Sequence, residues 1–161
     1  MAPKEDKNFT LPKENLILSL FALTAGFTIY IFLRSSDLVF FQWAHHLGIR
    51  DFINSFRLDA DKSDLQIPAW FIFSLPDGLW AFAYTYLIIG IWSGDQSKYK
   101  FIWYVSIPGL LIGHECLQLF GIINGTYSTE DLVFEFLGIG IALLLQFKKD
   151  INQYYHEKKF V

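Results

Sequence analysis

The sequence predicts an all-α fold, a polytopic membrane helix bundle of about four transmembrane helices with one extracytoplasmic interfacial amphipathic helix. Three observations predict it. Hydrophobic residues make up 53% of the 161 residues and aromatics 19%. They come in blocks long enough to cross a hydrocarbon core about 30 Å thick, which takes about 20 helical residues. Short polar segments, at 93–100 and 121–129, separate the later blocks and read as turns. The formal charge of -3 is spread out, with no basic cluster of the kind that tracks a phosphate backbone, so nucleic-acid binding is excluded. The single cysteine, Cys116, falls inside a span and provides no disulfide framework; it reads as a packing residue.

Residues 1–14 form a polar N-terminal lead-in, and 15–147 a single membrane bundle. The first span covers about 16–34. Its run is long and lacks a small-residue cleavage site, so a retained span is expected, not a cleaved signal peptide. Ser19, Thr24 and Thr28 can bond to the backbone, and Gly26 offers a point of close helix approach. The connection that follows is too charged to span, yet Leu38, Phe41, Ala44, Phe52 and Ile53 give 37–57 an apolar stripe suited to the interface. Trp43, His45 and His46 are placed at headgroup depth. Neighbouring histidines point about 100° apart on a helix, so no shared metal is expected there. The acidic stretch 58–65 lacks the glycine and terminal glutamate of a calcium loop and reads as a solvated loop.

The second span covers about 67–93 and is interrupted at Pro76, which disfavours a helical Leu75. Segment 67–75 either lies flat or re-enters, or the whole is one kinked helix. Either way Asp77 stands near a helix start, where free amides favour a carboxylate. The third span, 101–120, carries Pro108-Gly109, which marks a kink. The fourth, 131–147, starts after a turn where Ser128 or Thr129 can cap it, and ends at Lys148-Lys149; 148–161 is a cytoplasmic tail.

Lysines at 4, 7, 13, 98, 100, 148, 149, 158 and 159 mark one face, against Arg34, Arg50, Arg57 and Lys62 on the other. The positive-inside rule then puts both termini of a multi-pass protein in the cytoplasm. Direction alone gathers Asp77, His114, Glu115, Gln118, Asp131 and Glu135 at the extracytoplasmic end, beside Asn124 and Thr126 of the turn. Glu115 and Gln118 are three apart and His114 and Gln118 four apart, so they share a helix face. Ionisable residues inside a span are costly and mark a site by default. No arginine or lysine lies inside the spans to neutralise these acids, and the cytoplasmic half has almost no polar steps.

These residues resemble the VanZ-like family of small bacterial integral membrane proteins. The likeness is carried by Glu115 and Gln118, the Gly125-Thr126 turn, Asp131, and a small-residue helix through Gly138 and Gly140, with Asp77 and Phe82 opening the preceding helix. It covers about residues 76–146. The resemblance implies a four-to-five-span protein tied to the cell envelope, without a settled biochemical activity.

The expected function is an envelope-associated membrane protein whose outward acidic site of Asp77, Glu115, Gln118 and Asp131 binds a lipid-linked or polar headgroup. An acidic lining prefers a cationic or hydroxyl-rich ligand, such as an amine-bearing lipid or a glycan. The alternatives are a structural or accessory subunit of a larger membrane complex, and a lipid-headgroup-modifying enzyme with Glu115 or Asp131 as general base. Partners are membrane lipid, a lipid-linked envelope precursor or a partner membrane protein. No cofactor or metal is expected: HECLQ approaches the HExxH zinc signature, but Gln118 stands where the second histidine is needed.

Overall fold

A computed structural model describes residues 11–35, 39–56, 66–93, 95 and 97–159. Among them are seven helices and no strand: α1 (Lys13–Leu33), α2 (Val39–His46), α3 (Arg50–Phe56), α4 (Ala69–Phe73), α5 (Leu75–Trp92), α6 (Lys100–Leu119) and α7 (Thr129–Lys159). Lys4, Lys7, Arg57, Lys62 and the acidic stretch 58–65 lie outside the described residues.

Helix α5 is the hub. It carries a nearly continuous set of small or shape-filling buried residues, among them Gly78, Ala81, Ala83, Thr85, Tyr86 and Gly90. Its closest neighbours are α7 and α1, while α6 packs more sparsely. Asn15 of α1 presses on Gly90, and Gly26 of α1 lies against Pro76 and Trp80, so α1 and α5 run antiparallel. Gly138 of α7 abuts the Gly78 carbonyl, and Phe134 contacts Gly78 as well. Small residues at these crossings let backbones approach closely enough for van der Waals contact to hold the helices together.

The pattern of burial is inverted relative to a water-soluble core. On α1 the buried positions are Asn15, Ser19, Ala22 and Gly26, whereas Phe21 is 73% exposed. On α6 and α7, Phe101 and Leu144 are each 69% exposed. Two helical stretches, Lys13–Leu33 and Ala69–Trp92, are long and apolar enough to cross a membrane. His114, Glu115 and Gln118 lower the hydropathy of α6, and Glu130, Asp131 and Glu135 that of α7.

Several boundaries differ from the expectations. Segment 67–93 is helical on both sides of a break at Ser74, with the Ser74 amide donating to Trp70 O at 3.0 Å and Gly78 N to Ser74 O at 3.2 Å. Leu75 is helical despite Pro76, because Pro76 falls in the first turn of α5, where its missing N–H costs little. Asp77 therefore sits in that first turn, near the helix start as expected, with Ser74 at the N-cap position. The expected interfacial helix over 37–57 is two short helices, parted by a turn with Gly48 at φ 71°. Phe41 and Ala44 of α2 are buried, and the His45 and His46 rings stand 6.1 Å apart on an exposed surface. Helix α6 runs through Pro108 without a break. Helix α7 begins at Thr129 and continues past Lys148-Lys149 to Lys159. Cys116 is exposed, not packed inside.

Candidate functional site

Helix α6 ends in a Schellman arrangement: Gly121, at φ 66°, donates its amide to Gln118 O at 2.9 Å, and Ile122 donates to Leu117 O at 2.9 Å. The chain then turns through Gly125, at φ 143°, whose missing Cβ makes room for the Gln118 amide. Ser128 closes the turn, its hydroxyl accepting a 3.2 Å bond from Asp131 N. This is an N-cap for α7.

Glu115, only 3% exposed, reaches across to this helix start, and its Oε2 accepts a 3.2 Å bond from Ser128 N. The free amides and dipole at a helix N-terminus favour a carboxylate, which explains how α6 holds a buried acid. The neighbouring His114 is exposed, with Nδ1 3.8 Å from Glu115 Oε1 and Nε2 3.3 Å from Gln118 Nε2. Glu115 is thus a brace for the turn. Replacing it with alanine should orphan the Ser128 amide and cost about 1–3 kcal/mol. Glu115→Gln keeps an acceptor and should retain most of that stability. Thermal melts of the two variants in detergent check this.

Asp77, Glu115, Asp131 and Glu135 come within electrostatic range of one another at one end of the bundle. Glu135 is 6% exposed, and its Oε2 and Asp131 Oδ1 are buried without a hydrogen-bond partner among the described residues. Ser74 Oγ, on the turn before Asp77, is in the same condition. Among the described residues no three His, Cys, Asp or Glu side chains converge closely enough to hold a metal ion. Asn124 and Thr126 are exposed on the turn, and among the described residues no hydrogen bond joins them to the acids.

The chain matches no family model, no curated protein and no solved structure.

Two features escaped sequence reasoning. Arg34, just past the end of α1, lies within electrostatic range of Asp77 and partly offsets the acidic charge. Its guanidinium donates to Phe73 O at 3.0 Å and covers the Tyr30 and Phe73 rings at 5.4 and 5.0 Å. Its position at the very edge of the first span, far in sequence from the acids, hid this role. At the opposite end, where almost no polar steps were expected, Asn15 is fully buried in a polar clasp. Asn15 Nδ2 donates to Tyr86 O at 3.0 Å and to Gln146 Oε1 at 3.1 Å, while Lys149 Nζ donates to Asn15 Oδ1 at 2.7 Å. Gln146 in turn donates to Asp150 at 2.8 Å, and Lys149 pairs with Glu14 at 3.6 Å.

Proposed function

We propose that the protein is a multi-pass bacterial inner-membrane protein of VanZ-like type, with four spans and cytoplasmic termini, whose outward acidic site binds a polar headgroup. The headgroup belongs to a membrane lipid or a lipid-linked envelope precursor. The observation that carries this reading is the pair of buried carboxylate oxygens, Asp131 Oδ1 and Glu135 Oε2, that have no partner among the described residues. A buried carboxyl oxygen left without a partner costs about 1–3 kcal/mol, so a working state in which N–H or O–H groups satisfy both is favoured. Ammonium and hydroxyl groups supply such donors; a phosphate supplies only more acceptors. The apolar outer faces of α1, α6 and α7, with small and polar residues turned inward, support placement in lipid. The motif likeness of residues 76–146 is the ground for placing it at the cell envelope.

A purely structural role predicts that neutralising these acids weakens the fold. A binding role predicts the reverse, because sites held ready for a ligand trade stability for function. Glu135→Gln and Asp131→Asn should melt no lower than the native protein in detergent, and should lose the rise in Tm produced by bacterial lipid extract. Variants that melt lower and keep the lipid-dependent rise would establish the structural role instead.

A further inference from the structure

An apolar groove of about 410 Å³ runs between α1 and α7 over the surface of α5. That volume lies in the range of about 300–1,000 Å³ typical of ligand clefts. Its walls include Phe21 from α1, Leu75 and Leu79 from α5, and Phe134, Leu137 and Ile141 from α7. Phe21, Leu137 and Ile141 are 73%, 54% and 51% exposed, so the groove opens outward from the bundle. Helices α5 and α7 both begin at the acidic end, and the groove starts there, at Leu75 and Phe134. From Phe134 to Ile141 it extends about 10 Å along α7, roughly a third of a hydrocarbon core.

The mouth of the groove has a charge. Glu130, Phe134, Leu137 and Ile141 follow one another at helical spacing on a single face of α7, which puts the exposed Glu130 one turn above the groove in line with its wall. Asp131 flanks it, and Trp70 stacks on Phe134 with ring centroids 5.6 Å apart. The turn before α7, residues 121–129, contains no lysine or arginine. An apolar trough headed by a carboxylate and an aromatic ring matches an amphiphile with a cationic head.

We propose that the groove seats an acyl chain of a lipid whose headgroup carries an ammonium, with Glu130 holding that ammonium at the groove mouth. This rests on the headgroup reading above and names its ligand class. Glu130 thereby joins Asp131 and Glu135 in reading the head, and the groove adds selection for a chain.

The test uses the full chain in detergent, titrated calorimetrically with dioctanoyl-phosphatidylethanolamine, dioctanoyl-phosphatidylglycerol and free ethanolamine. The native protein should bind the ethanolamine lipid at least tenfold more tightly than the glycerol lipid. Leu137→Trp, and independently Ile141→Trp, should fill the groove, weaken the ethanolamine lipid tenfold or more, and leave free ethanolamine unchanged. Glu130→Gln should abolish the preference between the two lipids. Unaltered lipid binding by both tryptophan variants, or equal binding of the two lipids by the native protein, overturns the inference. In that event the headgroup reading stands if Glu135→Gln still weakens free ethanolamine. Ethanolamine and lipid binding both indifferent to Glu135→Gln overturns the headgroup reading and this inference together.

Discussion

Gly138→Ala should melt about 6–12 °C below the native protein, the equivalent of about 3 kcal/mol at this chain length. A Cβ at Gly138 would be driven into the Gly78 carbonyl and towards the Phe82 amide, which are backbone atoms that no rotamer change can move. Relief requires separating α5 from α7, and that is the most extensive contact in the bundle. Two residues along the same helix, Gly140 has open space where its Cβ would go. Gly140→Ala should therefore be neutral or gain up to about 1 kcal/mol from helix propensity. Equal melting of the two variants, followed by helical signal in mild detergent, would show that the Gly78–Gly138 crossing does not hold α5 to α7.

Asn15→Leu should cost about 2–3 kcal/mol, or about 4–12 °C in Tm. Asn15 is fully buried and joins three elements through its single amide, bonding the Tyr86 carbonyl, Gln146 and Lys149. Its loss leaves the 5%-exposed Gln146 and the Lys149 ammonium short of partners, and an orphaned buried group costs more than the bond was worth. The cost should be non-additive: adding Gln146→Leu to Asn15→Leu should restore part of the lost stability, since both halves of the bond are then gone. A loss below about 0.5 kcal/mol for Asn15→Leu would show that the clasp does not hold α1 to α5 and α7.

Much of the helical layout was legible because apolar blocks and Gly/Pro/Ser punctuation record where the chain leaves one helix and begins the next. The clustering of Asp77, Glu115, Asp131 and Glu135 at one end follows from alternating direction alone. What stayed hidden depended on contacts between residues far apart in sequence. Asn15 and Gln146 are 131 residues apart, and each alone looks like an ordinary polar residue at the edge of an apolar run. Arg34 stands at the edge of the first span, and nothing in the sequence shows that its long side chain reaches back over Tyr30 and Phe73. Helix α7 outruns its hydrophobic run because lysine terminates such a run without terminating a helix; Lys148, Lys149 and Gln153 are good helix formers. Ser128 could be read as a cap from the sequence, but the hydrogen bond its backbone N–H donates to Glu115 could not, and that bond makes Glu115 a brace for the turn.

The most direct measurement is a density map of the full chain extracted with native lipid, inspected at Asp131 and Glu135. The expected result is an ordered headgroup with donor atoms within about 3 Å of Asp131 Oδ1 and Glu135 Oε2, in hydrogen-bonding geometry. A closed bundle in which those two carboxyl groups bond to each other or to their own helices, with no group between them, would contradict it.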